Sequence, residues 1–125
     1  MLNLKFLKNY VFLVMALLFS LSGFAKEPGS LGLIRVSDLP ADAQKTLVLI
    51  KQGGPFAYTK DGVVFCNYEK QLPRQSRGYY HEYTVKTPGA RNRGARRIIA
   101  GGEPVSSGEY YYTDNHYATF RRIKE

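Results

Sequence analysis

The stretch YYHEYTVKTPGARNRGARRIIA, residues Tyr79 to Ala100, combines one carboxylate with a dense group of fixed positive charges. Glu82 lies inside an aromatic and β-branched run, and four arginines follow it around a Gly-containing turn: Arg91, Arg93, Arg96 and Arg97. A run of charges is usually a solvated surface. Guanidinium groups, however, bind phosphate through paired, charge-assisted hydrogen bonds. Arginines grouped at a turn beside a strand therefore favour an oxyanion or phosphate site.

His116, in the segment TDNHYATF, is a candidate proton donor for chemistry on such a phosphate. Histidine in general titrates close to neutral pH, which suits general-acid catalysis. RNA cleavage without a metal needs a carboxylate that takes the proton of the ribose 2′-hydroxyl and a cationic histidine that protonates the leaving 5′-oxygen. It also needs guanidinium groups that hold the phosphate. The alternatives are a surface ion pair for Glu82 and an unremarkable surface position for His116.

A second group of residues, in the segment GVVFCNYEKQLP, suits the binding of a nucleobase. The aromatic faces of Phe65 and Tyr68 could stack on an unpaired base. Glu69 could accept hydrogen bonds from two neighbouring N–H groups, which guanine carries on its Watson–Crick edge, and amides of the loop could donate to guanine O6. The alternative is that these aromatic residues belong to the core.

The composition limits the classes of protein that the chain can form. It carries 18 Lys and Arg against 10 Asp and Glu, a net charge of +8, which favours polyanionic partners. Cys66 is its one cysteine, so an intramolecular disulfide is excluded, while a link between two chains stays open. One cysteine and two histidines are too few for a structural zinc site. We therefore expect a monomer without a metal or another cofactor, stabilised by its hydrophobic core.

Residues 1–25 (MLNLKFLKNYVFLVMALLFSLSGFA) have the pattern of a signal peptide. Two lysines precede an apolar run, and small residues follow where a signal peptidase cleaves. The alternative is a membrane anchor, but the run is short for a span of about 20 residues. We expect a secreted protein, extracellular or periplasmic, without stable membrane association. Residues 26–125 would form one domain with a net charge of +6, since the leader holds two lysines and no acid, and residues 26–36 would be a flexible N-terminal segment.

The segment SDLPADAQKTLVLIKQGG predicts one amphipathic helix. Its apolar stripe recurs at helical spacing and consists of Leu39, Ala43, Leu47 and Ile50. Ser37 and Asp38 offer capping oxygens, and Pro40 suits the first turn, where its missing N–H has no partner to lose. Gly53 and Gly54 provide the end of the helix.

After Pro55, short aromatic or β-branched runs alternate with turn residues. Five runs predict strands: GVVF, YYHEYTV, ARRII, EYYYT and HYATFRRI. No long helical segment separates them, which favours antiparallel pairing. We expect an α+β fold in which one N-terminal amphipathic helix packs on a twisted antiparallel sheet of about five strands. The other face of the sheet would be open to a ligand.

Alternation along the strand around Glu82 divides its neighbours between the two faces of the sheet. One set is predicted to be Tyr80, Glu82 and Thr84, and the other Tyr79, His81 and Tyr83. His81 is therefore expected to be an ordinary residue at the edge of the core or at the surface, because it points away from Glu82.

Three blocks of the sequence resemble, in order and spacing, the small secreted guanyl-specific microbial ribonucleases, to which barnase is a more remote relative. They are GPFAYTKDGVVF, GYYHEYTVKTPGARNRGARRII and DNHYATF, and the similarity extends from about Leu39 to Ile123. The resemblance implies one helix on an antiparallel sheet. It also implies metal-independent cleavage of single-stranded RNA 3′ of guanosine through a 2′,3′-cyclic phosphate, and an acidic inhibitor protein as a partner.

The resemblance implies a role for each residue of the phosphate group. Glu82 would be the general base and His116 the general acid. Arg93 and Arg97 would bind the phosphate, and Tyr117 would be a further phosphate contact.

The resemblance likewise implies the guanine-binding residues. Phe65 would form one wall of the base pocket, amides around Asn67 would donate to guanine O6, and Glu69 would accept from the guanine edge. Tyr80 would have a structural role near the base. Tyr68 stands where some relatives have arginine, and it is expected to stack over the base.

Two further departures from the family concern cysteine. Close relatives have a cysteine pair that ties the N-terminal region to the C-terminus, whereas Arg35 stands near the first of these positions here. A disulfide of that kind contributes about 2–4 kcal/mol, so its loss affects stability rather than catalysis. Cys66 lies within the base-recognition loop, where the backbone amide is the group that binding requires.

Two other hypotheses are kept beside the enzyme. The first is a non-catalytic module that binds RNA or polyphosphate on the same scaffold. The second is a secreted β-rich interaction protein whose basic face is only solvated; it would bind RNA weakly, without sequence preference and only at low salt.

Overall fold

The computed structural model describes residues 31–125, so the signal-peptide prediction for residues 1–25 lies outside the described residues. The elements of this range are one helix, α1 (Ala41–Gln52), preceded by a 3₁₀ turn (Val36–Asp38), and six strands. The strands are β1 (Gly32–Arg35), β2 (Val63–Phe65), β3 (Tyr80–Thr84), β4 (Arg97–Gly101), β5 (Tyr110–Thr113) and β6 (Arg121–Lys124). Within this range, no helix combines the length and the apolar character that a membrane span requires.

The strands form a single sheet in the order β1-β6-β5-β4-β3-β2. Four of the neighbouring pairs are antiparallel, and β1 and β6 are parallel. The predicted α+β class, with one helix on one face of the sheet, is confirmed, but the sheet has six strands and is mixed. The additional strand, β1, lies inside the segment 26–36 that was expected to be flexible. This strand forms because it pairs with β6, which is distant in the sequence, in the register Gly32↔Arg121 to Arg35↔Lys124.

Helix α1 begins later than the capping pattern predicts. Ser37 and Asp38 belong to the 3₁₀ turn, and Pro40 is the N-cap, without a side-chain capping bond. The Pro40 carbonyl accepts from the amides of Ala43 (2.9 Å) and Gln44 (3.0 Å), so the first turn closes on the backbone alone. The predicted end is confirmed: Gly53 is the C-cap, in the left-handed conformation that glycine adopts without steric cost.

The helix covers one face of the sheet with aliphatic side chains and tyrosines, which we name the helix-side core. It consists of Ile34, Leu39, Ala43, Leu47, Ile50, Tyr83, Val85, Ile98, Ala100, Tyr110, Tyr112 and Ile123. The whole predicted apolar stripe of the helix segment is buried there. Burying such side chains is the main source of stability in a chain of this size.

The opposite face carries a smaller, more aromatic group, which we name the open-face cluster. Its buried members are Leu72, Tyr80, Ile99, Tyr111 and Phe120, and Leu31, Phe65, Tyr79 and Tyr117 pack against them. The predicted alternation is confirmed for Tyr80 and Tyr83, which lie in different clusters. It is wrong for Tyr79, whose ring packs on Tyr80 at 4.9 Å between centroids. Strand β3 begins at Tyr80, so the period of two does not extend back to Tyr79.

Candidate active site

Glu82 lies in the middle of β3, between Val63 of β2 and Ile99 of β4. Its side chain is only 13% exposed, and it is bonded on two sides. Oε1 accepts from Arg93 Nη2 at 3.3 Å, and Oε2 accepts from the Tyr117 hydroxyl at 2.7 Å. The carboxylate is therefore held in one orientation at the open face of the sheet.

Two of the four clustered arginines are connected to this carboxylate, Arg93 directly and Arg97 through the Tyr117 hydroxyl. Arg93 donates from Nε (3.1 Å) and Nη2 (2.8 Å) to Thr84 Oγ1, two residues along the strand from Glu82. Arg97, the first residue of β4, is only 2% exposed. Its Nη1 donates to the carbonyls of Gly94 (3.0 Å) and Arg96 (2.7 Å), and its Nε donates to the Tyr117 hydroxyl (3.1 Å).

The other two arginines lie elsewhere. Arg91 is exposed on the loop between β3 and β4. The charge of Arg96 acts on the Tyr112 hydroxyl, which belongs to the helix-side core. Arg96 immediately precedes β4, whereas Arg97 is the first residue of that strand.

Tyr117 links the charged groups to the aromatic floor. Its hydroxyl donates to Glu82 and accepts from Arg97, and its ring stacks on Phe65 at 5.2 Å with an interplanar angle of 26°. Burial, and then the hydrogen bond to Glu82, raise the pKa of Tyr117 to about 12. The phenol therefore stays protonated at neutral pH and remains a donor. Sequence reasoning named Tyr117 as a phosphate contact but not as the bridge between Glu82 and Arg97.

His116 is exposed beside this network, on the loop between β5 and β6. Its ring meets the Tyr117 ring edge-on at 4.8 Å. Both residues have positive φ, 54° and 70°, a conformation that is uncommon outside glycine and frequent at functional sites. The Ala95 carbonyl accepts from the His116 amide (2.9 Å) and Thr113 Oγ1 from the Tyr117 amide (3.2 Å), which hold the loop in this conformation.

A pocket of about 310 Å³ opens next to Glu82, and we name it the site pocket. Its lining consists of Val64, Phe65, Cys66, Asn67, Tyr68, Glu69, Gln71, Glu82, Tyr117 and Phe120. All four residues predicted for base recognition line it together with Glu82 and Tyr117. Arg93, Arg97 and His116 are not in its lining, and they reach it through their contacts with Glu82 and Tyr117. The structure thus joins the two groups that the sequence presented separately.

The loop after β2 is fixed by its own side chains. Asn67 has φ 55°, and its carboxamide exchanges two hydrogen bonds with the Leu72 backbone, at 3.0 and 3.1 Å. The Asn67 side chain is therefore occupied, and a ligand is offered its backbone. Gln71 Nε2 donates to the Ala118 carbonyl at 2.6 Å, which ties this loop to the loop that carries His116. Gln71 and Phe120 were missed by sequence reasoning, because their place in the pocket depends on how the two loops meet.

Tyr68 does not cover the site pocket in this structure. It is 85% exposed, and a hydrogen bond with Cys66 raises the pKa of its hydroxyl. Its stacking over a base remains a prediction. Among residues 31–125, no group of three or more His, Cys, Asp or Glu side chains is arranged to hold a metal ion.

The fold and this constellation are those of a small ribonuclease. The family model for ribonuclease matches residues 25–124, and the chain belongs to that family.

Several known proteins are similar to the chain over most of their own length. Guanyl-specific ribonuclease Sa of Kitasatospora aureofaciens is 57% identical over 94 residues, 75% of this chain and 95% of the relative. Guanyl-specific ribonuclease St of Saccharopolyspora erythraea is 52% identical over 88 residues, 70% of this chain and 83% of the relative. The solved structure of ribonuclease Sa2 in complexes with mononucleotides is 47% identical, with a TM-score of 0.72, and the match covers 77% of this chain and 96% of that one.

Proposed function

We propose that this chain is a guanyl-specific endoribonuclease, which cleaves single-stranded RNA 3′ of guanosine through a 2′,3′-cyclic phosphate. One observation carries the proposal: Glu69 and the loop around Asn67 line the same pocket as Glu82. A base bound by the loop would therefore place its own ribose beside a fixed carboxylate. The relatives support the specificity, since they are named guanyl-specific ribonucleases and ribonuclease Sa2 has been solved with guanosine-2′-cyclophosphate.

In the proposed recognition step, guanine lies against the Phe65 ring. Glu69 accepts from guanine N1–H and the exocyclic amino group, and backbone amides around Asn67 donate to O6. Adenine lacks these donors and this acceptor, so it would leave the Glu69 carboxylate and the amides unpaired. A site whose polar groups stay unpaired with the wrong base favours the correct base by a large factor in kcat/KM.

In the proposed cleavage step, Glu82 takes the proton of the 2′-hydroxyl while the 2′-oxygen attacks the adjacent phosphorus. The bond from phosphorus to the 5′-oxygen breaks, and His116 gives that oxygen a proton. Arg93, Arg97 and the Tyr117 hydroxyl stabilise the negative charge that grows on the phosphoryl oxygens. For hydrolysis of the cyclic phosphate the roles are exchanged. His116 takes a proton from water while the water oxygen attacks phosphorus, the bond from phosphorus to the 2′-oxygen breaks, and Glu82 returns its proton to that oxygen.

We also propose that the protein acts outside the cytoplasm, as a monomer, and that an acidic inhibitor protein binds it. The leader pattern of residues 1–25 supports export. The net charge of +6 on residues 26–125 supports an acidic partner as well as RNA. Expression of residues 26–125 in the cytoplasm without an inhibitor should arrest growth, and normal growth in the presence of active enzyme would contradict the need for one.

Digestion of one defined RNA tests the enzyme against the binding module. The protein is incubated with the RNA in the presence of a chelator, and the new 3′ ends are mapped. We expect ends only after guanosine, first as 2′,3′-cyclic phosphates and later as 3′-phosphates, and far less product with Glu82→Gln. Intact RNA that migrates more slowly in a gel would instead support the non-catalytic module.

A further inference from the structure

A second concavity, of about 220 Å³, lies against the same loop as the site pocket, and we name it the basic groove. Its lining consists of Phe65, Cys66, Asn67, Tyr68, Lys70, Arg74, Gln75, Ser76, Arg77 and Tyr80. The four residues from Phe65 to Tyr68 line both concavities. They therefore form a wall between the two.

The charges on the two sides of this wall are opposite. Among the described residues, the site pocket is lined by Glu69 and Glu82 and by no lysine or arginine, whereas the basic groove is lined by Lys70, Arg74 and Arg77 and by no acid. Three ion pairs occur among residues 31–125: Lys51–Glu125, Arg93–Glu82 and Arg121–Asp114. None of them involves the three cations of the groove, so these cations are available to an anionic ligand.

The position of the groove relative to Glu82 gives a strand direction. An RNA strand with guanosine in the site pocket has its 3′-phosphate beside Glu82, Arg93 and Arg97. The basic groove contains none of these residues. The groove instead shares the base-binding loop, Phe65 to Tyr68, with the site pocket. We therefore assign it to the part of the strand on the 5′ side of the guanosine.

We propose that the basic groove binds the phosphate on the 5′ side of the guanosine, so that the enzyme prefers guanosine that is preceded by another nucleotide. The inference rests on the proposed placement of guanine in the site pocket. Guanidinium groups suit this role because they form paired hydrogen bonds to phosphate oxygens. Of the three cations, Arg74 and Arg77 are of this type.

Three substrates isolate the phosphate: GpU, pGpU and UpGpU. GpU has no phosphate on its 5′ side, pGpU adds the phosphate alone, and UpGpU adds a nucleotide. For the wild type we expect kcat/KM to be about two- to fivefold higher for pGpU and UpGpU than for GpU at low salt, as for one exposed charge-assisted contact. In the double variant Arg74→Gln/Arg77→Gln this ratio should fall to about one. The salt slope of log kcat/KM for UpGpU should become shallower by about 0.7, the value for one phosphate of a single strand.

The matched control is Lys45→Gln/Lys86→Gln, which removes two positive charges from exposed residues of another cavity. It should keep the wild-type substrate ratio. A wild-type ratio of one, an unchanged ratio in Arg74→Gln/Arg77→Gln, or an equal fall in both double variants would overturn the subsite. The wild type alone separates the two proposals. If it cleaves none of the three substrates after guanosine, the proposed function fails, whereas cleavage of all three with a substrate ratio of one removes only the subsite.

Discussion

The two faces of the sheet are packed by different kinds of side chain. The helix-side core is closed by α1 and contains most of the buried aliphatic residues, among them Leu47, Ile50 and Ile98. Among residues 31–125, no helix covers the open-face cluster, which is built mainly from aromatic rings. Several of its hydroxyls are hydrogen-bonded: Tyr79 and Tyr111 to Glu109, Tyr80 to the Pro73 carbonyl and Tyr117 to Glu82.

This difference shows how one small sheet supports both stability and chemistry. A tyrosine ring fills space as an apolar group, and its hydroxyl still reaches a polar partner. The open face can therefore be well packed and yet end in hydroxyls and charges. We expect that substitutions on this face change activity, and that substitutions on the helix side change stability.

The largest effect is expected for Glu82→Gln. The amide keeps the shape of the side chain but cannot take the 2′-hydroxyl proton, so kcat should fall by about 10²–10⁴. KM should change little, because guanine recognition is assigned to the loop around Glu69. Steady-state kinetics on GpU measures both. Near-normal turnover in a folded variant would remove Glu82 from the mechanism.

On the helix side, Leu47→Ala should reduce the free energy of unfolding by about 2–5 kcal/mol, because Leu47 is only 3% exposed and its loss leaves a cavity. Urea denaturation measures this change. The control is Val48→Ala, the next residue on the exposed side of α1, which should cost much less. Well below the melting temperature, kcat/KM of Leu47→Ala should equal that of the wild type. A large loss of activity in the folded variant would contradict the division between the faces.

Tyr117→Phe tests the bridge between Glu82 and Arg97. The ring keeps its stacking on Phe65, but the hydroxyl that bonds both charged groups is lost, and kcat should fall by about tenfold, the value of one hydrogen bond to a charged group. Tyr79→Phe is the matched control, since it removes a hydroxyl from the same face that bonds Glu109 instead. If both variants lose kcat equally, the effect belongs to packing of the face and not to the bridge.

The smallest change is expected at alkaline pH. Burial is the main cause that raises the pKa of both Tyr80 and Tyr117 to about 12, so the folded state favours the neutral phenol. This contribution to stability is complete below pH 10, the ordinary value, and is lost as the pH rises from about 10 to 12. Urea denaturation at a series of pH values measures the decline. It should be less steep in Tyr80→Phe, and an identical slope in the two proteins would contradict this account.

The sequence predicts those parts of the fold that depend on neighbouring residues. The stripe from Leu39 to Ile50 and the stop at Gly53 locate the helix, and turn residues separate five of the six strands. Strand β1 is different, because its pairing partner is β6, almost at the other end of the described range. A four-residue segment carries no local signal of such a partner. The prediction of the sheet face for Tyr79 was wrong for a related reason, because β3 begins one residue later, at Tyr80.

The sequence predicted most residues of the candidate site, but it did not predict the hydrogen bonds that connect them. Residue types and the family resemblance select Glu82, Arg93 and Arg97, and the structure brings these three together with Tyr117. The bridging position of Tyr117 depends on two consecutive residues with positive φ, which residue type alone does not indicate. The assigned roles of these residues remain predictions for the kinetic experiments.

The order of the strands has a consequence for biosynthesis. Strand β6 is translated after all the others, yet it occupies an interior position between β1 and β5. A nascent chain on the ribosome that has not reached residue 124 cannot complete the sheet or fix the loop that precedes β6. A polypeptide that ends before β6 therefore lacks the strand that anchors the loop carrying His116 and Tyr117.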